Sequence, residues 1–89
     1  MSDVSADRLR QSVCSHVARI LREKREERGL SMTELAHRAG LSQAMISFVE
    51  RELRNPTLDT LLRIASVLKV DLADVLKRAN EAAVKQSSD

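Results

Sequence analysis

A chain of 89 residues has room for one small domain and not for two, and a formal charge of +2 is too slight to name a partner. With one Phe and no Trp or Tyr, the core must come from Leu, Val, Ile, Ala and Met; with two Gly and one Pro there is little material for β-turns, so the chain reads as all-α. No apolar run approaches a membrane span and MSDVSADRLR has no signal-peptide core, so a cytoplasmic protein with no membrane partner is expected.

Met1 to Ser5 are polar and expected to fray. Leu9, Val13, Val17, Ile20 and Leu21 then recur at helical spacing, which predicts a first helix from Ala6 or Ser12 to Arg28. Cys14 stands alone, so an intramolecular disulfide is excluded, and a small buried or half-buried core residue is the simpler reading against a redox role. His16 and His37 have no Cys or second His at ligand spacing, so no metal site is expected. The mixed charges of RILREKREERG read as a solvated face, or as a source of phosphate contacts through Arg19, Arg22 or Arg25. Gly29 closes the helix.

Ser31 followed by Glu34 has capping-box spacing, which predicts a second helix from Met32 to Ala39 stopped by Gly40. Ser42 caps a third, from Gln43 to Arg51, with Ile46 and Val49 facing inward. Asn55-Pro56 marks a turn, Thr57 caps, and Leu58, Leu61, Leu62, Ala65 and Leu68 form the apolar stripe of a fourth helix over 58–68. Asp71, with Asp74 as an approximate capping box, opens a fifth helix with a stripe at Leu72, Val75, Leu76 and Ala79. The stripe fades through Ala82 to Val84.

Two short helices across so tight a turn form a helix-turn-helix, whose second helix can enter a DNA major groove. With Ile46 and Val49 turned in, Gln43, Ala44, Ser47 and Phe48 form the outward face. A Gln amide bonds adenine bidentately, while Ala44 and the Phe48 ring suit a thymine methyl. Each has a plainer alternative: Gln43 as an exposed helix residue, Phe48 as core or interface filler. Ser31, Met32, Arg38, Ser42, Arg51, Arg54 and Asn55 surround the pair as candidate phosphate contacts, through small polar side chains, cations and helix N-terminal amides.

The stretch ILREKREERGLSMTELAHRAGLSQAMISFVERELRNPTLDTLLRIASVLKV resembles the Cro-type, phage-repressor-type helix-turn-helix family, also called the XRE family. Its carriers are Leu35-Ala36, the Gly40-Leu41-Ser42 turn, Ile46-Ser47, Glu50 and NPTLDTLLRIASVL from Asn55. The resemblance implies a compact five-helix, lambda-repressor-like DNA-binding domain with the helix-turn-helix at helices two and three. It further implies a double-stranded DNA operator, a homodimer and transcription control. Relatives often carry Gln at the position of Met32, where it helps fix a phosphate, and Gly at that of Glu52. If the backbone at Glu52 is left-handed, a non-Gly residue costs about 1 kcal/mol.

The expectation is therefore one domain over residues 1–89, with a core over 12–79 and termini that are flexible or form a dimer. Dimer contacts would come from helix five with its Ala82–Val84 extension, or from helix-one residues before Val13. A dimeric repressor or autoregulator, such as a restriction-modification controller, is the first reading. An antitoxin-like interaction module that binds DNA secondarily is the alternative. No nucleophile–base pair, cofactor motif or small-molecule pocket is legible, which argues against an enzyme.

Overall fold

The computed structural model describes residues 3–52 and 55–87. Five α-helices follow one another in them: α1 (Asp3–Glu27), α2 (Met32–Ala39), α3 (Gln43–Glu50), α4 (Leu58–Leu68) and α5 (Leu72–Ser87).

Local chemistry sets the boundaries. Ser31 Oγ accepts from the Glu34 amide at 3.0 Å while Glu34 Oε1 accepts from the Ser31 amide at 3.2 Å, a complete capping box. Ser42 Oγ caps α3 through the Met45 amide at 3.1 Å, and Thr57 Oγ1 caps α4 through the Thr60 amide at 3.1 Å. Asp71 Oδ1 accepts from the Ala73 amide at 3.0 Å; the Asp74 carboxylate lies 4.0 Å from Arg78. Gly29 and Gly40 stop α1 and α2 at φ of +68° and +71°. Glu52 (φ +58°) and Lys69 (φ +56°) take the same left-handed conformation without being Gly.

The largest fully buried side chains are Leu21 of α1, Leu35 of α2, Ile46 of α3, and Ile64 and Leu68 of α4; Val75, Ala79 and Ala83 of α5 are buried with them. Both ends of the chain are more ordered into helix than expected. Asp3 to Ser5 are helical rather than frayed, with Met1 and Ser2 outside the described residues. The reason is α5, which runs on to Ser87 and packs on α1 more extensively than any other pair of helices. Ala83 is completely buried there, so the core passes the expected limit at residue 79. Gln86 Oε1 meets Ser12 Oγ at 3.0 Å and His16 Nε2 at 3.1 Å, tying the two helices further.

Two burial readings are corrected. In α4, Thr60, Ile64 and Leu68 form the buried row at steps of four, with Ala65 beside it, whereas Leu58 and Leu62 remain 63% and 50% exposed. Both rows fit a helical period, and only the packing of α4 decides between them. In α1, Cys14 is exposed rather than buried. It stands one residue, about 100° of helix, past the inward Val13.

Candidate nucleic-acid interface

The α3 helix is placed by its inner face. Ile46 and Val49 are 1% and 4% exposed, anchored in the core between α1 and α2. That leaves Gln43 and Ala44 fully on the surface in the first turn, with Ser47 and Phe48 half-buried on its flanks. Phe48 is therefore not a core residue in the sense that Ile46 is. Gln43 reaches across to α2, where its Nε2 donates to Met32 Sδ at 3.8 Å. The N-termini of α2 and α3 thus meet at one place, and both present first-turn amides with no partner inside the helix.

At this junction stand three of the expected phosphate contacts, Ser31, Met32 and Ser42. Ser31 and Ser42 are exposed caps whose oxygens accept from their own helices. Met32 is half-buried against the core, so its side chain turns away from the role its relatives' Gln would play. Arg38 is exposed in the last turn of α2. The Glu34 carboxyl is held below the usual carboxylate range by the Ser31 backbone N–H first, then by the Ser31 hydroxyl, with the charge of Arg38 adding to both. Arg51, exposed, closes α3. Asn55 is exposed but lies farther round, beside Cys14, Glu52 and Pro56. Arg54 lies outside the described residues.

The far end of α3 is held by ions. Arg25 of α1 donates from Nε and from Nη2 to the two carboxylate oxygens of Glu50, at 2.7 and 3.0 Å. Its Nη1 donates to the Leu30 carbonyl at 2.8 Å. The side chains are only 11% and 4% exposed. The hydrogen bonds to Glu50 push the Arg25 guanidinium above its ordinary value, against the opposing effect of burial. Arg25 is thus neither part of a solvated face nor a phosphate contact. Glu50 holds α3 through Arg25, which lies 25 residues upstream. Glu52 accepts from Ser15 Oγ on α1, which turns it away from the reading face.

Arg63, which the sequence reading passed over, fixes the turn. It pairs with Asp59 at 2.8 Å and donates from Nη1 to the Ala39 carbonyl at 3.4 Å, at the end of α2. A Cβ on Gly40 would sit 3.1 Å from that nitrogen. The signal available was a cation on α4 at a four-residue step from Asp59, which any exposed helix face also shows.

Comparison with known proteins agrees with this geometry. The helix-turn-helix family model matches residues 21–75. An uncharacterised HTH-type transcriptional regulator of Sinorhizobium fredii, y4dJ, is 38% identical over 73 residues, covering 82% of this chain and 90% of that protein. SinR of Bacillus licheniformis, an HTH-type transcriptional regulator, is 34% identical over 68% of this chain, which spans 56% of SinR. A crystal structure of a variant of the restriction-modification controller protein C.Esp1396I superposes with a TM-score of 0.72 at 27% identity, covering 82% of this chain and 95% of that one. Another variant of that controller, bound to its highest-affinity operator site, superposes with a TM-score of 0.71 at 26% identity, over 82% and 96% of the two chains. The chain belongs to the XRE-type helix-turn-helix family of transcriptional regulators.

Proposed function

We propose that the chain binds a double-stranded operator sequence-specifically, as a homodimer in the cytoplasm, and represses transcription, its own included. One observation carries the reading. Residues Gln43 and Ala44 are presented on the first turn of α3, beside the N-terminus of α2, with the cap hydroxyls of Ser31 and Ser42 and the cations Arg38 and Arg51 on the same helix pair. Base edges are then met by Gln43, Ala44, Ser47 and Phe48, and phosphates by the flanking groups, Met32 through its backbone amide alone. Arg54 and Asn55 follow α3 in sequence and complete the proposed set of phosphate contacts. The likeness to C.Esp1396I supports the narrower role of a restriction-modification controller.

For the dimer, a third surface joins the two that the sequence suggests. Within the Ala82–Val84 extension Ala83 is completely buried against α1 of the same protomer, whereas Val84 stays 48% exposed, as Leu9 of α1 stays 36% exposed. Leu62 and Leu76, by contrast, flank a shallow apolar groove between α4 and α5, and Leu58 continues it at 63% exposure. Exposed leucines in one patch favour a second copy, which would set two α3 helices about 34 Å apart on DNA. An antitoxin-like module would use the same patch for a different protein.

Fluorescence anisotropy against the DNA upstream of the protein's own coding sequence tests the whole reading. Affinity should fall steeply with salt, Gln43→Ala should relax the base preference, and Arg38→Ala should weaken all sequences alike. Salt-insensitive binding, or an unchanged base preference in Gln43→Ala, overturns it. Sedimentation of Leu62→Glu separates the two partners: the homodimer reading requires a dimer that this variant dissociates.

A further inference from the structure

We infer that Ser15 of α1 and Glu52 form a positioning pair that aims Arg51 at the DNA backbone; this rests on Arg51 being a phosphate contact. Position 52, where relatives often carry Gly, has a left-handed backbone with a side chain on it, at φ +58°. That conformation is unfavourable for an L residue and free of strain for Gly. The side chain gives a reach that Gly lacks: the carboxylate crosses to α1 and accepts from Ser15 Oγ. Both residues are exposed, so burial does not force them together.

The pair ties the chain one residue beyond Arg51, and the Arg25–Glu50 ion pair ties it one residue before. Between them the main chain is closed by its own bonds. The Arg51 amide donates to the Ser47 carbonyl at 2.9 Å and the Glu52 amide to the Val49 carbonyl at 3.2 Å. The exposed Arg51 side chain therefore leaves from a backbone held to α1 on both sides, and such preorganisation lowers the ordering cost of a contact. The tie also decides where the Glu52 charge stands. Glu52 lines a cleft with Arg19 and Arg22 of α1, so the held carboxylate is on the side of these cations. Released, it would compete with phosphate for the neighbouring Arg51 guanidinium and repel the phosphate itself. The pair reads no base, so its effect falls on all sequences alike.

The test is anisotropy titration with a duplex of scrambled sequence at several salt concentrations. It compares the wild type with Ser15→Ala, Ser15→Thr, Arg51→Ala and the double variant Ser15→Ala with Arg51→Ala, each checked for a cooperative melt. Ala is a better helix former than Ser, so Ser15→Ala is expected to fold. Arg51→Ala should reduce the salt slope by about one. Ser15→Ala should weaken binding about three- to tenfold and reduce the slope in the same direction. Ser15→Thr keeps the hydroxyl and should bind as the wild type does. In the Arg51→Ala background, Ser15→Ala should change nothing further. If Arg51→Ala keeps the wild-type slope, the assignment of Arg51 to phosphate fails and this inference falls with it. If Arg51→Ala reduces the slope while Ser15→Ala leaves slope and affinity intact, the inference alone is overturned, even where Ser15→Ala melts lower, as loss of a merely structural bond would require. A Ser15→Ala effect that persists undiminished in the Arg51→Ala background overturns it as well.

Discussion

Removing Glu50 while leaving Arg25 should be among the most damaging single changes this protein can suffer. Glu50→Ala strands a guanidinium whose side chain is 11% exposed, with the Leu30 carbonyl at 2.8 Å as its remaining recorded partner. Breaking a buried ion pair from one side costs about 3–5 kcal/mol, because the surviving charge stays desolvated. A chain of 89 residues has a total stability of roughly 4–13 kcal/mol, so the loss takes a large share of it. At about 4–8 °C per kcal/mol for a domain of this size, the melting temperature should drop by at least about 12 °C. Removing both charges is a different perturbation. Arg25→Met with Glu50→Leu deletes the desolvation penalty along with the attraction and should lie within about 1–2 kcal/mol of the wild type, or above it. Urea and thermal melts of the two single variants and the double variant, followed by circular dichroism, read all of this. The single-variant loss should persist at 1 M salt, since a buried pair is poorly screened. A Glu50→Ala loss under about 1 kcal/mol, or one that vanishes at high salt, would refute a buried structural pair.

Three further outcomes are expected. Lys69→Gly should raise stability by about 1 kcal/mol by relieving a left-handed non-Gly residue; Glu52→Gly should gain less, since it also loses the bond from Ser15. Urea melts that place both variants at or below the wild type would show that neither position is strained. Gly40→Ala should cost more than Gly29→Ala, because both have positive φ but only the Cβ at Gly40 meets Arg63, at 3.1 Å; in an Arg63→Ala background the two should converge. Glu34 gives the acid response. Its carboxyl is depressed in the folded chain, so its contribution is present above the unfolded value, near pH 4.3, and is lost as pH falls through the lower folded value. The melting-temperature gap between the wild type and Glu34→Gln should therefore be widest at neutral pH and close on acidification below about pH 4; a gap constant down to pH 2 would contradict the capping role.

Local chemistry was legible because it is written in neighbouring residues. Ser31 and Glu34, Ser42, Thr57 and Gly40 each act over three or four positions, and each sits where its spacing predicts. The choice between two rows on α4 was not legible, since Leu58 and Leu62 are as helical in spacing as Thr60, Ile64 and Leu68. Arg25 was misread for a related reason. It extends the Val17–Leu21 row by another four residues, as Glu50 extends the Ile46 row on α3, so each charge stands at a core position. A charge at a core position needs a partner, and the second such charge, of opposite sign, was the signal available. Whether they meet depends on how α1 crosses α3, which no local spacing states.

The same distinction governs the candidate site. On the proposed function, what α3 can say to DNA is set by the identities of Gln43, Ala44, Ser47 and Phe48; where α3 is held is set from other helices. Arg25 of α1 grips its last turn at Glu50, Met32 of α2 meets its first residue, and Arg63 of α4 fixes the turn before it. These contacts span 25, 11 and 24 residues of chain. Base readout works only if the side chains enter the groove within a fraction of an ångström, so affinity for the right sequence depends on all three holds while phosphate attraction does not. Loosening any one of them should lower specific binding more than non-specific binding. The charge-conserving variant Arg63→Lys isolates that effect: it leaves the salt dependence of binding unchanged, whereas a lost phosphate contact would reduce the slope by about one.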